Sequence, residues 1–191
     1  MIDHFGILAP FYERFIKPKP PRELSEHVQM PSGGSMLDIG GGTGRIAQFF
    51  TGDGAQIVVS DLSFKMVLQT KSKKGLQAVC SHSEYMPFPA GHFDRIIMVD
   101  ALHHVCDQEK TASELWRVVK PGGRIVIEEP NFNRWMVKLV AWGEKVALMR
   151  SHFLTPQEIR SLFNQKGATR SVVKEGHIAW VIIEKKGNDT L

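Results

Sequence analysis

Short unbroken apolar runs alternate along this chain with longer stretches of three- and four-residue periodicity. Ser35 to Ile39, Gln56 to Asp61, Gln77 to Cys80, Arg95 to Val99 and Arg124 to Glu128 are the unbroken runs, short enough to be buried strands. Between them, Ser63 to Lys73 brings Met66, Val67 and Thr70 to one face, and Glu109 to Lys120 does the same for Leu115, Trp116 and Val119. Those spacings predict amphipathic helices. Ile46, Phe49 and Phe50 predict a further helix that ends near Gly52 to Gly54, and Ser25 to Val28 a single helical turn. Thr155-Pro156-Gln157-Glu158 has the form of a capping box with proline at the first helical position, so a helix should run from there to about Gln165. Thr169 to Val173 and His177 to Glu184 read as a closing antiparallel hairpin around Gly176.

The first strand breaks into Asp38-Ile39-Gly40-Gly41-Gly42-Thr43-Gly44-Arg45 and then into a helical pattern. Glycine tolerates positive φ and has no Cβ, so Gly40, Gly42 and Gly44 allow the backbone to press against a ligand with the loop N–H groups facing it. Such a loop suits a nucleotide-like ligand. The dinucleotide fingerprint would need a glycine where Arg45 stands, which disfavours a nicotinamide dehydrogenase. Asp61 closes the second strand, where a doubly wound fold sets the carboxylate that accepts hydrogen bonds from a ribose diol. The competing reading makes Asp61 only a cap on the helix that begins at Ser63.

Composition narrows the class. The chain has 191 residues, 42% hydrophobic and 23% charged, as expected of one globular domain spanning 1–191. Its net charge of +4 is spread over separate short clusters, so no nucleic-acid partner is expected. No apolar stretch reaches membrane-spanning length and the N-terminus does not have the order of a signal peptide, so a cytoplasmic location is expected. Cys80 and Cys106 lack a metal-binding spacing and are expected to be free, buried thiols; no metal site is expected.

Beyond the glycine loop, Glu84-Tyr85-Met86-Pro87-Phe88, Phe93-Asp94, Ala101-Leu102-His103-His104-Val105 and Lys120-Pro121-Gly122-Gly123 follow in order. Together with the glycine loop these segments resemble the class I S-adenosylmethionine (SAM)-dependent methyltransferases, in the small-molecule branch similar to ubiquinone and menaquinone biosynthesis methyltransferases. The resemblance covers roughly residues 35–130. It implies a Rossmann-like three-layer α/β sandwich on a mostly parallel seven-stranded sheet, the last strand antiparallel. It also implies SAM as cofactor. Asp38, Gly40, Gly42 and Gly44 would hold its methionine half, Asp61 the ribose, Leu62 the adenine face, and His82 and Ser83 the adenine edge. His82 departs from the family, which usually has an aspartate at that position.

The flanks carry the rest. Residues 1–30 are expected to form a helical lid and linker, with Phe5, Leu8, Phe11, Tyr12, Phe15 and Ile16 on one face. Residues 131–153 are expected to be a helical insertion lining the substrate pocket, its apolar positions suited to a lipophilic small-molecule acceptor or to weak contact with a membrane surface. Asp100, His103, His104 and Tyr12 are the candidates for removing a proton from that acceptor, with none singled out. Adjacent His103 and His104 are expected to point apart. The function expected is methyl transfer from SAM to a small acceptor; the alternative is a SAM-binding sensor or partner subunit without turnover.

Overall fold

A computed structural model of the chain describes residues 21–131 and 152–187. The expected lid over residues 1–20 and nearly all of the 131–153 insertion lie outside the described residues, as does Tyr12. The described elements run, in order, α1 (Arg22–Val28), β1 (Ser35–Ile39), a 3-10 turn (Ala47–Phe50), β2 (Gln56–Asp61), α2 (Phe64–Lys71) and β3 (Leu76–Cys80). There follow β4 (Phe93–Val99), a second 3-10 turn (Leu102–His104), α3 (Gln108–Val118), β5 (Val119–Pro130), α4 (Pro156–Ser161), β6 (Ala168–Glu175) and β7 (Ile178–Lys185).

The seven strands form one sheet in the order β3-β2-β1-β4-β5-β7-β6. Strands β1 to β5 pair in parallel, and β7 enters antiparallel between β5 and β6. This is the expected mostly parallel sheet with its last strand reversed. Order reverses at β1, which pairs β2 on one side and β4 on the other. Ligands of open α/β sheets bind at such a switch point, beyond the strands' carboxyl ends. Asp38, the glycine loop, Asp61, Asp100 and His103 all lie there.

The two faces bury different sets of side chains, as alternation along a strand requires. Leu37, Ile39, Ile96, Met98, Ile125 and Ile127 pack on one face with Leu115 and Phe163. Met36, Ile57, Val59, Ile97, Val126 and Trp180 pack on the other with Leu24 and Val28 of α1.

Four sequence expectations need correction. The helix expected after the glycine loop is one 3-10 turn, and Phe49 is exposed rather than packed. Left-handed Gly44, at φ +73°, and Gly52, at φ +147°, bracket too few residues for more than that. In α3 the inward positions are Thr111, Ala112, Leu115 and Val118; Trp116 is half-buried, and Val119 already belongs to β5, which extends back through Pro121-Gly122-Gly123. The helix from Thr155 has its capping box but stops at Ser161. Cys80 and Cys106 are free but exposed: Cys80 closes the edge strand β3, in which no position is fully buried, and Cys106 lies in the loop between the second 3-10 turn and α3.

Candidate active site

The glycine loop is held by its neighbours in a left-handed path. Gly40, Gly42 and Gly44 have φ of +67°, +58° and +73°. The Gly40 N–H donates to the Ser60 carbonyl at 2.8 Å, and the Thr70 hydroxyl donates to the Gly42 carbonyl at 2.8 Å. A Cβ on Gly40 would meet Ala101 Cβ at 2.6 Å, and one on Gly44 would meet Leu76 Cδ1 at 2.6 Å. Gly41 is closed in too, since its Cβ would lie 2.5 Å from Asp38 Cγ. A Cβ on Gly42 would approach only Met66 Sδ, at 3.9 Å. The first, second and fourth glycines therefore serve packing, and the third faces open space where a ligand could lie.

Asp38 supports this loop from beneath. It is 1% exposed, and its Oδ2 finds no hydrogen-bond partner. Burial pushes its carboxyl up to about 8, the nearby Asp61 charge adds to the rise, and Arg45 opposes it. A buried polar atom without a partner costs free energy comparable to a lost hydrogen bond, so it reads as a group waiting for a donor. A cationic amine would supply one.

Asp61 makes the cap that was the competing reading of the sequence, and a second contact that the sequence did not suggest. Its Oδ1 accepts from the Ser63 N–H at 2.8 Å, at the start of α2, and its Oδ2 accepts from the Gly42 N–H at 2.9 Å. The carboxylate thus joins β2 to the glycine loop. Leu62 beside it is 58% exposed. His82 stands out in solvent, with Nδ1 3.9 Å from Glu84 Oε2 and its side chain 65% exposed. The Ser83 hydroxyl is turned inward to Glu84 Oε2 at 3.2 Å and Thr111 Oγ1 at 3.1 Å.

At the end of β4 the chain turns through Asp100, a non-glycine residue at φ +50°, into the histidine turn. Glu129 of β5, 4% exposed, reaches across to it. Glu129 Oε1 accepts from the N–H groups of Ala101 at 3.1 Å and Leu102 at 2.7 Å, and Oε2 lies 2.5 Å from His103 Nδ1. The two histidine rings do not diverge as expected: their centroids are 4.0 Å apart. Burial, then the neighbouring His103, push His104 down to about 4 against the pull of Glu129, so His104 is neutral at ordinary pH. Glu129 and Gly41 are what the sequence reading missed. The acid two residues into the Glu128-Glu129-Pro130 strand end was the available signal for the first, and the unbroken Gly40-Gly41-Gly42 run for the second.

Residues 37–127 match the family profile described as "Methyltransferase domain". That stretch contains Asp38, the glycine loop, Asp61 and the histidine turn. The chain is 34% identical over 131 residues to the demethylmenaquinone methyltransferase of Thermobifida fusca, covering 63% of this chain and 55% of that protein. It is also 34% identical over 119 residues to the ubiquinone/menaquinone biosynthesis C-methyltransferase UbiE of Francisella tularensis subsp. novicida, covering 57% and 47%. The chain thus spans about half the length of these curated relatives. Its fold is that of a SAM-dependent methyltransferase from Thermotoga maritima, with TM-score 0.76 at 20% identity over 95% of this chain and 98% of that one. Among the described residues no cluster of His, Cys, Asp and Glu is arranged to hold a metal ion, and no helix is long and apolar enough to cross a membrane.

Proposed function

We propose that this chain transfers a methyl group from SAM to a small lipophilic acceptor of the phenol or quinol class. The observation that carries the reading is Asp38 Oδ2, buried and unpartnered beneath a glycine loop whose one open position is Gly42, inside a stretch with methyltransferase sequence. The donor set fits the cofactor. Asp38 would meet its amino group, Gly42 would admit it against the backbone, and Asp61 would take the ribose hydroxyls, with Leu62, His82 and Ser83 around the adenine. Bound there, SAM supplies a methyl group made electrophilic by its sulfonium.

The rest falls to the chain's own residues, which hold the reactants in line and keep water out. Asp38 carries a proton when alone and gives it up as the amine arrives. The rigid path of residues 40–44 fixes where the ligand ends and the acceptor begins. The quinol part of the reading is supported by the names of the two curated relatives and by the apolar positions within residues 131–153.

The test is calorimetry with SAM and S-adenosylhomocysteine, followed by an S-adenosylhomocysteine release assay. Acceptors would be dithionite-reduced 1,4-naphthoquinone, catechol, benzylamine and benzenethiol. Binding together with product from the naphthoquinol or the catechol is expected. Product only from the amine or thiol would overturn the acceptor class. Binding without product from any of the four would favour the SAM-binding sensor or partner subunit.

A further inference from the structure

We propose that Asn131 recognises the methyl acceptor, its side-chain oxygen accepting a hydrogen bond from an acceptor hydroxyl. The proposal rests on the methyltransferase reading and deepens it, since neither the family match nor the relatives assign a residue to the acceptor. Asn131 is 7% exposed, and its Oδ1 has no hydrogen-bond partner. Among the described residues, Asp38 Oδ2 and Gln165 Oε1 share that condition.

Position separates the three. Gln165 leads into β6 at Ala168, which pairs with Lys185, next to the Glu184 that pairs with Arg124. Arg124 in turn pairs with Arg95 near the start of β4, so Gln165 belongs to the amino edge of the parallel strands. Asp38 and Asn131 lie at the other edge, at the carboxyl ends of β1 and β5, where open α/β sheets take their ligands. With β4 between them, those two strands are about 10 Å apart. That spacing suits two ligands side by side, the cofactor over β1 and the acceptor over β4 and β5.

The backbone sets which way Asn131 faces. Its N–H donates to the His177 carbonyl at 2.8 Å, which extends by one residue the β5–β7 ladder in which Pro130 pairs with Ile178. Alternation therefore continues through Asn131, which shares a face with Ile127 and Glu129. Glu129, two residues back and about 7 Å lower along the strand, holds the turn after β4 by the N–H groups of Ala101 and Leu102. Ala101 also borders the glycine loop, since a Cβ on Gly40 would come within 2.6 Å of it. The amide thus stands above the turn that separates it from the cofactor side.

The chemistry of the atom names the group it would take. A buried acceptor without a donor costs free energy that an apolar side chain would spare, so the fold alone gives no reason for an asparagine here. An amide oxygen is uncharged and only accepts. It pairs with a neutral O–H and gains nothing from an ether, a ketone or a hydrocarbon in the same place. Asp38 is the contrasting case, an acid suited to a cationic amine.

The test separates hydrogen bonding from packing with two probes of similar shape, 1,4-dihydroxynaphthalene kept reduced with dithionite and 1,4-dimethylnaphthalene. Their affinities for the full chain saturated with S-adenosylhomocysteine are measured by equilibrium dialysis. Asn131→Leu should shift the ratio of the two affinities about 10-fold against the dihydroxy probe, with S-adenosylhomocysteine affinity within threefold. Asn131→Asp keeps an accepting oxygen in either protonation state and should hold the wild-type ratio within threefold. Should the leucine variant not fold, Asn131→Ala takes its place with the same expectation. A ratio within twofold of wild type in the leucine or alanine variant would overturn the proposal, as would a wild type that does not bind the dihydroxy probe. Equal loss of both probes together with a lower urea midpoint would also overturn it, in favour of a purely structural role. If wild type does not bind S-adenosylhomocysteine, the function reading fails, and the same dialysis without it still decides Asn131.

Discussion

Two aspartates sit near opposite ends of the neighbouring strands β1 and β4, and the chain treats them in opposite ways. Asp94, at the amino end of β4, accepts from the Ser35 N–H at 2.9 Å, the Ser35 hydroxyl at 2.8 Å and Lys120 Nζ at 2.8 Å. Partial burial alone would raise it, but the Lys120 ammonium and the Ser35 donors outweigh that and hold its carboxyl at about 2. Asp38, near the carboxyl end of β1, has one oxygen without a partner and is pushed up to about 8. Folding alone completes the first site. The second is left a donor short, at the end of the sheet where the glycine loop and the histidine turn lie.

The largest effect should come from Gly42. In Gly42→Ala the new methyl has room in the ligand-free fold, at the cost of about 1 kcal/mol for an alanine in the left-handed region. It stands where the ligand must come, so SAM affinity measured by calorimetry should fall at least about 100-fold while the melting temperature moves little. Gly41→Ala should do the reverse, unsettling the fold by driving a Cβ into Asp38. If Gly42→Ala binds normally, the open side of the loop is not the ligand side.

Asp38 makes a pH-dependent prediction of a few kcal/mol. Its folded carboxyl titrates near 8 against an unfolded value near 3.8, so from pH 4 to 8 the folded state holds a proton that the unfolded state has lost. Stability from this group is therefore fully present below pH 4 and declines as pH rises toward 8. Asp38→Asn should remove that decline, and the urea-unfolding difference between variant and wild type should grow in the variant's favour by on the order of 3 kcal/mol from pH 4 to 7. SAM binding near pH 7 should release a proton from wild type only, seen by calorimetry in buffers of different ionisation enthalpy. A flat difference across the window would place an undetected donor on Oδ2.

Asp61→Ala should weaken SAM binding by about 1.5–3 kcal/mol, the scale of hydrogen bonds to a charged acceptor. The same change frees the Gly42 and Ser63 N–H groups, so equal losses in affinity and in stability would reduce Asp61 to a loop tie.

Much of this was legible in the sequence because strands buried on both faces write themselves as unbroken apolar runs, and because Gly40, Gly42, Gly44 and Asp61 occur at fixed offsets from them. What was not legible depends on partners far apart in the chain. Glu129 becomes the companion of His103 only because β5 pairs β4 in register, with Val99 opposite Glu128. Burial of Cys80 failed as an expectation because local apolarity does not say that β3 is an edge strand. Gly41 needed the Asp38 side chain beneath it, which only the fold supplies.

The smallest effect should belong to Asp94, and it closes the contrast with Asp38. Its carboxyl is lowered, so the stability it contributes is present above pH 4 and is lost as pH falls toward 2, the opposite slope to Asp38. Asp94→Asn keeps the shape but turns a charge-assisted bond to Lys120 into a neutral one. Because Lys120 is 39% exposed, solvent screening limits the loss to about 1 kcal/mol near neutral pH. Urea unfolding at pH 7 and at pH 3 should show that loss shrinking on acidification, with SAM affinity unchanged at pH 7 because the group lies at the far end of the strands. Should Asp94→Asn weaken SAM binding as much as Asp61→Ala, the two edges would be energetically coupled through β1 and β4, and the division into a completed edge and a waiting one would have to be abandoned.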